Sequence, residues 1–244
     1  MVLLIFSFSL SAQQAEDLFV KANKLYQVEN YTEALELYQQ IEKNEVQSAD
    51  LFYNIANTNY KLNRIAPAIY YYEKTLKINP RYKDAVFNLN FAKRMAIDTI
   101  EPLPKTIFQK FRESFILKLS YNTWAWIAVV LSFLFATLFL LYHFSYSSTR
   151  KRIYFVSSIL SVVFALLVIT IAYQNYNYIK SYKQAIVFEQ QTDVKTAPTM
   201  SSEVNFQLHE GTKVQVLESL DNWKKIKIAD GKIGWIVSEH IKEL

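Results

Sequence analysis

Two uncharged stretches in the middle of the chain constrain it more than any other feature. Trp124 to Tyr142 runs 19 residues without a charged side chain, and Ile153 to Tyr173 runs 21. At a helical rise of about 1.5 Å per residue, they cover about 28 to 32 Å, the depth of a bilayer's hydrocarbon core. The stretch between them, His143 to Arg152, is too short for a domain. The pair predicts a transmembrane helical hairpin over 124–173, with spans at 124–143 and 153–173. The segments before and after it must then share one compartment. Neither span carries Asp, Glu, Lys or Arg, which argues against an ion or proton relay inside the bilayer.

The net charge of +5 is unevenly placed. Gln13 to Glu101 holds 11 basic and 12 acidic residues, Pro102 to Lys183 holds 9 and 1, and Gln184 to Leu244 holds 7 and 9. The positive excess therefore flanks the apolar stretches, where Lys and Arg meet phospholipid head groups. Neither flanking segment is basic enough to argue for nucleic acid. With no Cys, disulfides, thiol chemistry and Cys-based metal sites are excluded. The three Gly all lie beyond position 210, so no Gly-rich phosphate loop precedes them.

Val2 to Leu10 is an apolar run followed by Ser11-Ala12-Gln13-Gln14. It reads as a secretory signal ending at residue 12, although no Lys or Arg precedes it and Leu10 replaces the usual small residue.

Within an expected domain over 13–101, residues 15–96 repeat at a spacing of 34. Ala22 recurs as Ala56, Ala34 as Ala68, Tyr38 as Tyr72, and Asn54-Ile55 as Asn88-Leu89. Polar breaks at Glu29-Asn30 and Asn63-Arg64 split each unit into two helical patterns, and Asn79-Pro80 closes the second. This resembles the tetratricopeptide repeat (TPR) family, with two full repeats and a capping helix. Asn90 departs from it by replacing the small residue at the third recurrence. The resemblance implies an all-α array with a concave, partner-binding groove. Its groove positions fall on Phe19, Asn23 and Tyr26, on Tyr53, Asn57 and Tyr60, and on Phe87, Phe91 and Arg94. Each ring among these reads equally well as core.

Pro102 and Pro104 mark a linker over 102–123. Ile107, Phe108, Phe111, Phe115 and Leu119 recur at three and four residues with Lys110, Arg112 and Glu113 between them, as in an interfacial amphipathic helix. Arg150-Lys151-Arg152 favours a cytoplasmic turn, but Lys105, Lys110, Arg112 and Lys118 compete from the other side. The export signal breaks that tie, giving a bacterial inner-membrane protein with both end domains periplasmic. Without export, the same chain reads as an adaptor facing the cytoplasm.

Residues 184–244 change to short alternating runs with turn signals, a small all-β pattern. The order from Val194-Lys195-Thr196-Ala197-Pro198 to Gly234-Trp235 is similar to the bacterial SH3 (SH3b) family. The family implies a small barrel that binds peptides or cell-wall material. Trp223 and Trp235 are its candidate surface residues, and a core role for Trp235 is equally open. His209 and His240 read as isolated surface residues.

No catalytic constellation, cofactor motif or metal-ligand spacing occurs, so the chain reads as a scaffold rather than an enzyme. The order of signal, TPR, membrane hairpin and SH3-like module resembles the BatE-like family of the Bacteroides aerotolerance (Bat) system. That resemblance implies partners among Bat membrane proteins with von Willebrand factor A domains and, indirectly, a MoxR-type ATPase. It also implies a link to oxygen tolerance or stress. The alternative is an accessory protein that binds peptidoglycan.

Overall fold

A computed structural model describes the backbone of residues 2–44 and 46–244, and the side chains of 13–44 and 46–244. The expected export segment, 1–12, lies outside the residues whose side chains are described. The chain forms two compact units, Met1–Pro102 with Lys183–Leu244, and Leu103–Tyr182.

The first unit begins with helices α1 (Val2–Gln27), α2 (Tyr31–Lys43), α3 (Ala49–Lys61), α4 (Ile65–Ile78) and α5 (Lys83–Met95). The two polar breaks turn the chain by one mechanism. Glu29 and Asn63 adopt left-handed backbone angles, with φ of 63° and 57°. The next amide donates back to the end of the preceding helix, Asn30 to Leu25 O and Arg64 to Asn59 O, both at 2.9 Å. Ala22, Ala34, Ala56 and Ala68 are fully buried, so neighbouring helices approach closely at all four. Tyr38, Tyr72 and Phe52 are the largest side chains sealed between them.

The same unit ends in seven strands: β1 (Lys183–Val187), β2 (Gln191–Lys195), β3 (Val204–His209), β4 (Lys213–Leu220), β5 (Trp223–Lys227), β6 (Ile233–Val237) and β7 (Ile241–Glu243). Their order is β3-β2-β6-β5-β4-β1-β7, and the paired strands are antiparallel. Val194, Leu208, Val214, Val216, Ile226 and Ile236 form the core of the sheet. Strand β1 has no exposed apolar face. Ala185 and Val187 join the sheet core, while Ile186 between them enters the core of the helices. The helices and the sheet, expected as two modules, therefore share one body.

The second unit holds α6 (Ile107–Phe111), a π-helical turn (Arg112–Ile116), α7 (Tyr121–Phe144) and α8 (Ser148–Ser181). Both α7 and α8 are long and apolar enough to cross a membrane. They run antiparallel, with Tyr121 against Tyr176 at one end and Tyr142 against Phe155 at the other. Small residues line the seam: Ala128, Ser158, Ser161 and Ala165 are buried, and Ser161 donates to Leu131 O at 2.8 Å. The turn is shorter than expected, and Arg150-Lys151-Arg152 belongs to the start of α8. The amphipathic helix expected across Lys105–Ser120 runs as α6 and, from Arg112, as a π-helical turn that ends at Ile116. There the Leu117 amide bonds Arg112 O at 2.8 Å, a five-residue loop-back.

Candidate functional site

Helices α1, α3 and α5 present a cleft of about 390 Å³ lined by Tyr26, Tyr53, Asn57, Tyr60, Phe87 and Phe91, with Lys61 beside them. Six of the nine predicted groove residues thus meet in one place. The rings hold one another at defined angles. Phe87 and Phe91 meet edge to face at 4.8 Å, and Tyr53 lies 4.9 Å from Tyr82. Phe87 is 64% exposed and Phe91 40%, so these two rings are wall rather than core.

The other three predicted residues do other things. Phe19 packs against the helix core, edge-on to Tyr38. Asn23 is a stitch: its Oδ1 accepts from the Tyr38 hydroxyl at 2.6 Å and from Asn54 Nδ2 at 3.0 Å. Arg94 stands outside the cleft lining, its guanidinium 5.4 Å above the Phe91 ring. Asn57 lines the cleft, yet its Oδ1 already serves Tyr72 and Asn88. The cleft therefore offers mainly aromatic faces, tyrosine hydroxyls and one lysine. Burial, followed by the nearby Tyr26, pushes the Tyr38 hydroxyl up to about 12, so it stays a donor at neutral pH.

A second cleft, about 360 Å³, opens on the sheet between Gln191, Thr192, Asp193, Lys195, Met200, Trp223, Val237 and His240. Trp223 is buried, at 9% exposed, and it also lines this cleft. Trp235 does not enter the core. Its neighbours Gly234 and Ile236 point inward, and a Cβ on Gly234 would meet Val194 Cγ1 at 2.5 Å. The Gly-Trp pair therefore places nothing inside and the ring outside, where Lys225 lies 5.7 Å above it. His240 Nδ1 and Thr192 Oγ1 share a hydrogen bond of 2.7 Å at the cleft wall.

Sequence reasoning missed the dock between the sheet and the helices. Asp98, just past α5, accepts from the His209 amide at 2.7 Å and the Thr212 hydroxyl at 2.6 Å. His209 Nδ1 lies 2.8 Å from its other oxygen, so this histidine is a tie and not a free surface group. Burial would raise the Asp98 carboxyl, but Thr212 and the His209 amide outweigh it and hold it low. Glu73 sits between Lys213 at 2.7 Å and Lys93 at 2.9 Å, and the two lysines likewise overcome its burial. Phe188 stands edge-on to Tyr70, with Lys242 4.6 Å above the same ring. The uninterrupted run Ala185-Ile186-Val187 was the one available signal, since a strand buried on both faces loses its alternation.

No curated protein matches this chain. Residues 191–242 match the family model of the bacterial SH3 domain, so a bacterial SH3 domain is present over these residues.

Proposed function

We propose that this chain is a membrane-anchored, non-enzymatic adaptor that captures a segment of a partner protein in the aromatic cleft of a TPR-type array. One observation carries the reading: Phe87 and Phe91 are held exposed beside Tyr26, Tyr53 and Tyr60, at the positions that the repeat register assigns to a groove. Exposed rings fixed by their neighbours offer apolar contact at low entropic cost. The two apolar helices supply the anchor, and an even number of crossings puts both flanking segments on one side. With an export signal, that side is the periplasmic face of a bacterial inner membrane. The order of parts supports membership of a Bat-type envelope complex, with von Willebrand factor A domain proteins as the captured partners.

The test is affinity purification of the tagged full chain from detergent-solubilised membranes. Tyr60→Ala and Phe91→Ala should each reduce partner recovery while leaving the melting temperature within a few degrees of the parent. Undiminished recovery of every partner in both variants would overturn the cleft assignment.

A second reading, attachment to peptidoglycan, is favoured by the cleft that Trp223 lines with Asp193, Lys195 and His240. Retention of the full chain on purified sacculi, lost on Trp223→Ala, would support it over capture of a protein partner.

A further inference from the structure

We propose that the turn before α7 binds the phosphate of an anionic phospholipid, with Arg112 as the residue that holds it. This site rests on the membrane-anchored reading above.

The turn is fixed to the root of the hairpin. Trp124 Nε1 donates to Ile116 O at 3.0 Å. Asn175 Nδ2 reaches Ile116 O at 3.2 Å and Leu119 O at 2.9 Å, taking up carbonyls near the end of the π-helical turn. Tyr121 packs edge-on to Tyr176, and Phe115 lies 5.8 Å from Trp124. A capping box of Thr106 and Gln109 sets the start of α6. The segment is thus a rigid collar.

Among the described residues Arg112 makes no ion pair. Its guanidinium lies 4.4 Å over the Tyr178 ring, and its Nε is buried with no hydrogen-bond partner among the described residues. The sole acidic residue from Pro102 to Lys183 is Glu113, and it pairs with Lys105. A guanidinium held on an aromatic face with no ion pair among the described residues can take an oxyanion on its planar fork.

The surroundings select the source of that oxyanion. Ile107 is 83% exposed and Phe108 85%, and Phe111 and Phe115 are also exposed. These side chains alternate with the exposed Lys110 and Lys118. Rings facing acyl chains beside cations facing phosphates match the head-group layer of a leaflet containing anionic lipid. An acidic protein surface would not require the exposed apolar rings.

The experiment uses the full chain purified in mild detergent, titrated with phosphatidylglycerol, phosphatidylcholine or inorganic phosphate while its melting temperature is followed. Native mass spectrometry counts the lipid retained. Phosphatidylglycerol should stabilise the protein and remain bound, with Arg112→Gln weakening it about tenfold. Arg112→Lys should recover only part of the effect, because it keeps the charge but loses the fork. Lys118→Gln should change little. Equal losses in Arg112→Gln and Lys118→Gln would overturn the proposal in favour of diffuse charge, and an equal response to phosphatidylcholine or inorganic phosphate would also overturn it. A chain that stays monodisperse without detergent would remove the membrane reading, and this site with it.

Discussion

Tyr72 donates its hydroxyl to Asn57 Oδ1 at 2.6 Å, and Tyr38 makes the same bond to Asn23, each partner 34 residues earlier in the chain. Asn88 and Asn54 complete the two triads, each donating Nδ2 to the same oxygen at 3.0 Å. One amide oxygen thus ties three helices at each level. Removing it at Asn57 strands the Tyr72 hydroxyl and leaves the Asn88 amide only the Tyr53 hydroxyl, at 3.1 Å. Asn57→Ala should therefore cost about 1–3 kcal/mol, more than Tyr72→Phe at about 1 kcal/mol, which removes donor and need together. Thermal melts of the detergent-solubilised chain should rank them in that order. Equal shifts would show that the two donors find another acceptor.

Gly211 brings the backbone of the β3–β4 turn against the helices. Its φ is 85°, and a Cβ there would meet Ile69 Cδ1 at 2.9 Å and Ile65 Cγ2 at 3.3 Å. Both the backbone angle and the missing side chain are needed. Gly211→Val should destabilise the first unit by about 2 kcal/mol or more, and Gly211→Ala by less. Amide exchange should rise on both sides of the dock, at 93–98 and at 209–213. A rise confined to the β3–β4 turn would mean that the helices do not depend on this contact.

The repeat was legible in the sequence because small and large residues recur at a fixed interval, and the structure places Ala22, Ala34, Ala56 and Ala68 at buried helix contacts. The apolar helices were legible from length and charge alone. What the sequence hid was pairing at long range. Asn23 looked like a groove residue, and Asn57 lines the cleft with its oxygen already engaged, because position on a helix does not reveal which hydroxyl, 15 residues on, will claim the amide oxygen. Asp98 and His209 are 111 residues apart, and no local pattern links them. Arg112 sat in a regular amphipathic spacing, which reveals neither the change to a π-helical turn there nor the docking of Asn175 and Trp124 onto Ile116 O.

Two carboxylates give the dock an acid limit. Glu73 and Asp98 are both held below their ordinary values, by Lys213 and Lys93 in one case and by Thr212 and His209 in the other, against the opposing effect of burial. A depressed carboxyl contributes stability that is complete above the unfolded pKa, about 4, and is lost as pH falls through the lower folded value. Exchange protection at 209–213 should therefore hold from pH 7 to about pH 5 and fall below about pH 4. Asp98→Asn should lose part of that protection at neutral pH and show a shallower acid transition. A transition of unchanged depth in Asp98→Asn would assign the acid limit to other groups.

Glu29 closes α1 in a left-handed conformation, φ 63°, that a side chain with a Cβ adopts at a cost. Its counterpart Asn63, φ 57°, is a residue type that tolerates the region better. The Glu29 side chain makes no hydrogen bond among the described residues, and the residue is exposed. Glycine there should keep both bonds of the turn, Glu29 N–H to Tyr26 O at 3.1 Å and Asn30 N–H to Leu25 O at 2.9 Å, while removing the strain. Glu29→Gly should raise stability by about 0.5–1 kcal/mol, although the freer unfolded chain offsets part of the gain. Glu29→Ala should not, since it retains the Cβ that makes the angle costly. A melting temperature raised by glycine and not by alanine would establish that the turn, rather than the lost charge, is responsible. Equal gains from the two substitutions would assign the effect to removal of the carboxylate from the helix C-terminus, where the macrodipole disfavours it.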